Sequence, residues 1–383
     1  MLQTRSSIFK RIMKKFAWIG LMFLITSGLF AQQKILPNKD LMALIRQGID
    51  KTYNSEFDAA EKIYKEVEKR APGHPAAPLL NGLNYYYKYY PLNPSSPGAE
   101  PFETTVKEAI KRAGEMLEKN SEDIEAQAMD MIARSLLNMY YVDNGYSFKA
   151  IPQIMPIYRT VIKGFTLKEK FNEFYFTTGL YNYYREAYPD AHPVYKPITS
   201  LFQHGNKILG IKQLIYAADS CVFLRNEALN FLKIIYLNYE NNPVKALLYA
   251  RRLSEKYPGN LTFLADYAET LLLDKQYDKA KIPILILLSR SNKDLGIIMK
   301  GLILKGIYEE KERKDLSTAE KNYLAGMKAA EDLGPSVDAY RAYACLGLAR
   351  IYTQTGKLDK ASDYRKQGEG YAHYIYFFRL DQP

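Results

Sequence analysis

The chain has 383 residues, 47% of them hydrophobic and 25% charged, a balance typical of a globular protein with ample length for a core. The formal net charge is +11, but residues 1–31 hold five Lys or Arg and no acidic residue. The rest of the chain has only a mild positive excess and no run of Lys and Arg that could follow a phosphate backbone. We therefore predict no nucleic-acid partner.

Residues 1–31 have the pattern of a secretory signal peptide. Basic residues precede an apolar run from Phe16 to Ala31, which is short for a bilayer span of ~20 apolar residues. Ala31 offers a small-residue cleavage point, and Met13 is an alternative start. An uncleaved N-terminal anchor is the other interpretation of this run. We expect export to the periplasm or the extracellular space, a short linker at 32–39, and no membrane span after signal removal.

From residue 40 to residue 370 a pattern of small and aromatic residues recurs, and almost all of this region is predicted to be helical. In chain order its diagnostic positions are Gly48, Ala60, Tyr64, Val67 and Pro72; Ala109, Ala113 and Met116; Ala246, Ala250, Leu253 and Pro258; Ala268, Leu271, Tyr277 and Ala280; Ala319 and Tyr323; and Leu348, Ala349, Tyr352, Gly356, Leu358 and Ala361. Small residues let two helices approach closely, and bulky ones fill the space beside them.

This pattern resembles the tetratricopeptide (TPR) repeat, a helix–turn–helix unit. The resemblance implies an all-α fold, an α-α superhelical solenoid of about seven or eight TPR-like hairpins, with a C-terminal capping segment at 371–383. Stability is then expected to come from the stacking of neighbouring hairpins. Pro72, Pro258 and Pro335 are predicted to lie between helices.

Two repeats are interrupted in the same way. In an uninterrupted repeat, such as Gly48 to Ala60, the glycine of the first helix and the small residue of the second are 12 positions apart. The corresponding distance is 27 positions from Gly82 to Ala109 and 31 from Gly179 to Gly210. The added residues are rich in proline, and we place the insertions at about 90–102 and 188–200. They are either semi-rigid lips beside a groove or neutral loop growth.

Four tyrosines precede the two insertions at matching places. The resemblance to the TPR family places Tyr86, Tyr87, Tyr183 and Tyr184 at first-helix positions that commonly line the concave face of the superhelix. Tyrosine suits a binding surface because it combines a flat apolar ring with a hydroxyl. We take these four as candidate partner contacts, although tyrosine is also a common filler between helices.

No catalytic, cofactor or metal site is predicted. The four histidines and two cysteines lack metal-ligand spacing, and no phosphate-binding loop or nucleophile motif is present. Cys221 and Cys345 are expected to be small buried side chains rather than a disulfide, because a long stretch of solenoid separates them. The carboxylate pair Asp266 and Glu269 is interpreted as solvated.

The preferred prediction is a non-enzymatic exported scaffold that binds a protein, a peptide or an envelope component on its concave face. One alternative is a carbohydrate-binding or carbohydrate-processing α-superhelical protein, in which Asn84 and Asn182 would help to hold sugars. A second is a membrane-tethered envelope assembly factor, if the leader is retained.

Overall fold

The computed structural model describes residues 34–292 and 294–382, except the side chains of residues 195 and 198. The predicted signal peptide at 1–31 lies outside these residues. The described chain is an all-α solenoid of eight antiparallel helical hairpins, numbered here from the N-terminus. Hairpins 1 to 4 are α1 (Lys39–Tyr53) with α2 (Phe57–Arg70), α3 (Ala76–Lys88) with α4 (Ala99–Lys119), α5 (Ile124–Asp143) with α6 (Ser147–Leu167), and α7 (Glu173–Ala191) with the short α8 (Lys196–Thr199) and α9 (Lys207–Ser220). Hairpins 5 to 8 are α10 (Arg225–Ile234) with α11 (Pro243–Lys256), α12 (Leu261–Leu273) with α13 (Tyr277–Arg290), α14 (Leu295–Tyr308) with α15 (Leu316–Ala329), and α16 (Asp338–Gln354) with α17 (Leu358–Tyr371).

Short irregular helical segments complete the chain. π-helical turns extend α10 over Ile235–Tyr239 and α14 over Glu309–Arg313. 3₁₀ turns occur at Pro193–Tyr195 and Pro335–Val337, and a longer one at Ile375–Asp381. As predicted, Pro72, Pro258 and Pro335 lie between the α-helices.

The hairpin turns have a common backbone geometry. Six of them contain a residue with positive φ, a conformation that reverses the chain after a helix C-terminus. These residues are Ser55, Gly145, Asn241, Lys275, Lys314 and Gly356. In the described backbone, hairpins 2 and 4 have none between their helices, and they are the two with insertions. The insertions therefore replace the tight turn rather than lengthen it.

The predicted packing of small residues against bulky ones is confirmed. Ala60 and Tyr64 are fully buried, and a Cβ at Gly48 would collide with the Tyr64 ring. The same relation recurs in hairpin 7, where a Cβ at Gly306 would collide with the ring of Tyr323. Cys221 and Cys345 are buried free thiols, as expected.

A buried carboxylate holds the segment that connects hairpins 4 and 5. Glu173 on α7 accepts hydrogen bonds from the backbone N–H groups of Val222, Phe223 and Leu224, at 2.6, 3.1 and 2.9 Å. Because these residues lead into α10, Glu173 fixes the junction between hairpins 4 and 5. Such bonds satisfy donors that a helix N-terminus leaves unpaired.

The described part of the predicted N-terminal linker, from residue 34 onward, packs against the helices. Ile35 is fully buried, and the N–H groups of Ile35 and Leu36 donate to Glu125 on α5 at 2.9 and 3.0 Å. Burial opposes the ionisation of Glu125, but hydrogen bonds from His74 and these two N–H groups lower its pKa. Residues 34–38 are thus part of the packed structure.

The expectation of stability from neighbouring hairpins alone is corrected by a contact between hairpin 1 and the α11–α12 connection. The Tyr257 hydroxyl donates to Asp50 at 2.6 Å, and the Gly259 N–H donates to Asn54 Oδ1 at 2.8 Å. The Tyr53 ring lies 5.7 Å from that of Tyr257, centroid to centroid. We call this the closing contact. The superhelix is wound so tightly that segments about 200 residues apart meet.

The C-terminal segment does more than cover the last hairpin. Arg350 and Arg365 bind Asp381 at 2.8 and 2.6 Å, which holds the final 3₁₀ turn to α16 and α17. Its Arg379 donates to the Asn241 carbonyl at the turn of hairpin 5, at 3.2 Å. The segment therefore crosses from hairpin 8 to hairpin 5 along the first helices.

Candidate functional site

Two of the four candidate tyrosines are packing residues. Tyr86 is 6% exposed, with its ring 6.0 Å from that of Phe102 on α4. Tyr183 is fully buried, and its hydroxyl donates to Glu240 at 2.5 Å. The prediction is corrected for both, because a buried ring offers no face to a partner.

Tyr87 and Tyr184 remain partly exposed. The Tyr87 ring lies 4.8 Å from that of Tyr53, and its hydroxyl lies 3.4 Å from Glu227 Oε1 on α10. Tyr184 has its ring 5.4 Å from that of Tyr239, beyond the end of α10. The contact of Tyr87 with Glu227 joins first helices of hairpins 2 and 5, which places Tyr87 on the concave side. Tyr184 lies on the same side, because the Tyr239 ring that it contacts also packs against Tyr374 of the C-terminal segment. Their role as partner contacts stays a prediction.

A cluster of charged residues that the sequence did not reveal lies on the same side. We define the inner cluster as Glu227, Lys233, Asp266, Glu269 and Lys300, which come from the first helices α10, α12 and α14. Lys233 and Asp266 form an ion pair, with their side chains only 11% and 15% exposed. The interpretation of Asp266 as a solvated surface residue is therefore wrong. Nothing in its local sequence distinguishes it from an exposed carboxylate.

Two tyrosines of α16 contact Glu269 and Lys300 of the inner cluster. Glu269 accepts a hydrogen bond from the Tyr343 hydroxyl at 2.7 Å, and the Lys300 ammonium lies 5.5 Å from the centre of the Tyr340 ring. Burial, followed by the charge of Asp266, raises the pKa of Glu269. Burial lowers the pKa of Lys300 although Asp266 and Glu269 attract its charge. The partial burial that causes both shifts leaves these two groups less hydrated than charged residues on the outer surface.

Two groups of the inner cluster have unused binding capacity. Among the described residues, Glu227 Oε2 is buried without a hydrogen-bond partner, and Lys300 forms no ion pair. Burial raises the pKa of Glu227 to about 8, so that at neutral pH this carboxyl group holds its proton and can donate it in a hydrogen bond. A ligand on the inner face would find a neutral carboxyl group, an ammonium group and tyrosine rings.

The C-terminal segment occupies one part of the inner face. The Tyr374 ring lies 5.6 Å from that of Tyr239, and the Phe377 ring lies 5.0 Å from that of Tyr343. Tyr376, also in this segment, is buried. Tyr90, in the connection between α3 and α4, is 53% exposed. Beside this segment, Glu227, Glu269 and Lys300 stay partly exposed on the inner face.

The described part of the chain lacks the groupings that metal binding or membrane spanning requires. In that part of the chain, no three His, Cys, Asp or Glu side chains are grouped so as to hold a metal ion. No helix there has both the length and the apolar character needed to cross a membrane.

No family model and no curated protein matches the sequence. Among solved structures, the chain is similar to human IFIT1, described as a dimer with PPP-AAAA. The two share 12% sequence identity with a TM-score of 0.34, over 89% of this chain and 97% of that one. The assignment as a helical-hairpin solenoid rests on the helices described above.

Proposed function

We propose that this chain is a non-enzymatic scaffold that holds a protein or peptide partner on its inner face. The observation that carries the proposal is the convergence of first helices from several hairpins on one partly buried surface of tyrosines and charged groups. Glu227 and Lys300 supply a hydrogen-bond donor and a cation that the described residues leave unused. Buried polar groups of this kind gain most from a partner that satisfies them.

The mixture of charges favours a peptide over a nucleic acid. Asp266 and Glu269 stand beside Lys233 and Lys300, and each sign is interleaved with the other. A nucleic acid calls for a surface of Lys and Arg that neutralises successive phosphates. A peptide presents amide groups and side chains of both signs, which matches this surface.

We also propose that the chain is exported, and this part of the proposal rests on the sequence alone. The basic stretch followed by the apolar run from Phe16 to Ala31 is the supporting pattern. Amino-terminal sequencing of the mature protein from the source cells tests it. A first residue near Gln32 supports cleavage, and an intact leader favours a membrane-tethered factor.

Carbohydrate processing is the second candidate. It is favoured by the carboxylates Asp266 and Glu269 on one turn of α12, one ion-paired and the other with a raised pKa. Glycan hydrolysis that is lost in Asp266→Asn and in Glu269→Gln would establish it. A folded protein with no hydrolytic activity on envelope glycans retains the scaffold proposal.

The scaffold proposal is tested with the full chain as bait against an envelope extract of the source cells. The Tyr87→Ala/Tyr184→Ala variant changes the two accessible candidates and leaves the buried Tyr86 and Tyr183 intact. A matched control is Tyr216→Ala/Tyr364→Ala, which removes two incompletely buried tyrosines from the second helices α9 and α17.

We expect a partner, identified by mass spectrometry, that the native chain and the control capture and the inner-face variant loses. Its purified form should then bind with at least a tenfold lower affinity to a Lys300→Gln variant. Equal binding by all the folded variants would remove the inner face as the binding site.

A further inference from the structure

The outer surface of hairpin 3 has an uncovered apolar patch. We define the outer patch as Val142, Phe148, Ile151, Ile154 and Met155, which are 60%, 93%, 60%, 46% and 48% exposed. Four of them lie on α6, and Val142 lies beside the hairpin turn. α6 packs through a different face, which buries Ala150, Val161 and Gly164. The patch is therefore additional to the core face of the helix.

The equivalent helices of hairpins 1 and 2 lack such a patch. The exposed side chains of α2 are all charged: Asp58, Lys62, Lys65, Lys69 and Arg70. Those of α4 are also polar or charged. Since α2, α4 and α6 are the second helices of consecutive hairpins, the position in the fold does not require an apolar exterior. An apolar surface that the fold does not need points to something that covers it.

The charged residues of α6 are all basic, and the acidic residues near them belong to other elements: Glu103 binds Lys149 at 3.8 Å, and Glu122 lies 3.9 Å from Lys163. α6 carries Lys149, Arg159 and Lys163 and no acidic residue. With 3.6 residues per turn, the three basic residues follow one edge of the apolar stripe. The insertion of hairpin 4 and the first part of α9, residues 192–216, add Lys196, Lys207 and Lys212 and again no Asp or Glu.

The insertion of hairpin 4 extends the patch sideways. The Phe202 ring lies 5.0 Å from that of Tyr158, one turn beyond Met155 on α6. Its neighbour Leu201 is 82% exposed. The apolar surface therefore continues from α6 onto the segment that follows α8.

A basic depression lies at the charged edge of the same helix. Lys107, Arg134 and Lys149 line it together with Tyr141 and Gln153. Lys107 and Lys149 share the carboxylate of Glu103, and Arg134 binds Asp130. Three cations thus face two carboxylates, and the depression keeps a positive charge beside the apolar stripe.

We propose that the outer patch docks on an anionic lipid bilayer. Phe148, Ile151 and Met155 enter the boundary between headgroups and acyl chains, and Lys149, Arg159 and Lys163 contact the lipid phosphates. A helix with an apolar face and a basic edge binds a membrane surface in this way. The proposal is independent of the inner face, which stays open to a partner when the protein is docked.

The test places a fluorophore whose emission reports polarity on the full chain. Cys221 and Cys345 are fully buried, so a single exposed cysteine can be labelled selectively. Met155→Cys puts the label in the outer patch, and Leu358→Cys puts it on the exposed surface of α17 as the control. The two proteins are mixed with phosphatidylcholine vesicles, with or without phosphatidylglycerol.

We expect a blue shift at position 155 with the anionic vesicles, reversed by high salt, and little change with neutral vesicles or at position 358. Binding to vesicles without a shift at position 155 would assign the contact to another segment and overturn the proposal. A shift that grows with protein concentration and needs no lipid would also overturn it, in favour of a second copy of the chain.

Charge reversal provides a second test that does not depend on the label. Lys149→Glu/Arg159→Glu/Lys163→Glu should weaken binding to the anionic vesicles by roughly a hundredfold, since each basic residue near such a surface favours binding. The matched control is Lys62→Glu/Lys65→Glu/Lys69→Glu on α2, with the same change in net charge. Equal weakening by both would reduce the effect to net charge and contradict docking through hairpin 3.

Discussion

Hairpins 5 to 8 and hairpin 3 both combine aromatic or apolar side chains with charged ones, and they use them in opposite ways. In hairpins 5 to 8 the charged groups face one another across first helices, as in the pair of Lys233 with Asp266. On the outer surface of hairpin 3, Arg159 projects into solvent beside exposed apolar side chains, and no described residue forms an ion pair with it.

The difference teaches which substitutions should affect stability and which should affect binding. A buried charge depends on its partner, so removal of one member leaves the other without compensation. A side chain that stays in solvent makes few contacts in the folded state, so its substitution changes the free energy of unfolding little. Substitutions in hairpins 5 to 8 should therefore change the free energy of unfolding, and those in the outer patch should leave it almost unchanged.

The largest effect is expected from Arg350→Ala. Arg350 Nε and Nη2 donate to Glu310 at 2.7 and 2.9 Å, and the Glu310 side chain is only 2% exposed. Without the arginine, Glu310 keeps only Lys311 and Tyr323 nearby. We expect a loss of about 3 kcal/mol in the free energy of unfolding, measured by urea denaturation.

The control for this variant is Arg365→Ala. Arg365 also binds Asp381, but its side chain is 41% exposed. Its removal should cost no more than about 1 kcal/mol. Equal losses from both variants would show that the contact with Asp381, rather than the burial of Glu310, determines stability.

A smaller effect is expected from Tyr257→Phe at the closing contact. The change removes the hydroxyl, which donates to Asp50 at 2.6 Å and has Asn226 Oδ1 on α10 as a second acceptor at 3.0 Å, and it keeps the ring against Tyr53. The expected loss is about 2 kcal/mol, because the acceptor is charged. Amide exchange at Gly259, which is bonded to Asn54, should accelerate. Tyr249→Phe is the control, since its hydroxyl makes no hydrogen bond with a described residue, and an equal loss there would argue against the closing contact.

The repeat could be predicted from the sequence because it is local. The spacing of Gly48, Ala60 and Tyr64 reports contacts within one hairpin, and these contacts are present. The closing contact could not be predicted, because it depends on small rotations summed over several hairpins. The inner cluster was missed for a different reason: Lys233 and Asp266 belong to first helices of neighbouring hairpins, and the sequence does not show which faces of these helices meet.

The candidate tyrosines show a second limit. Tyr86 and Tyr87 are consecutive on α3, yet one is buried against Phe102 and the other reaches the inner face. Their exposure depends on the neighbouring helices rather than on residue type. For α6, the signal was present in the sequence: Phe148, Ile151 and Met155 add a second apolar stripe to the one that packs.

Glu227→Gln should stabilise the protein in a pH-dependent way. Burial raises the pKa of Glu227 from 4.5 to about 8. Below pH 4.5 the group is protonated in both the folded and the unfolded state. As the pH rises toward 8, the unfolded state releases its proton first, so the contribution of Glu227 to stability falls. Glutamine lacks this dependence.

The gain from Glu227→Gln should therefore be near zero at pH 4.5 and reach about 1–2 kcal/mol at pH 8, since each pKa unit corresponds to about 1.4 kcal/mol and solvent on the inner face reduces the effect. Thermal melts between these pH values measure it. Glu255→Gln on the exposed side of α11 is the control. A gain that is independent of pH would contradict the burial of this carboxyl group as its cause.

The smallest effect on stability is expected from Phe148→Ser. Because the ring is 93% exposed, the folded state buries almost none of its apolar area, and the free energy of unfolding should change by no more than about 0.5 kcal/mol. The affinity of the Phe148→Ser variant for anionic vesicles should fall. The Leu358→Ser variant, changed at another exposed apolar position, should keep full affinity. A large loss of stability in Phe148→Ser would mean that hairpin 3 is covered within the protein itself. The contrast with hairpins 5 to 8 would then disappear, because the patch would be one more buried surface.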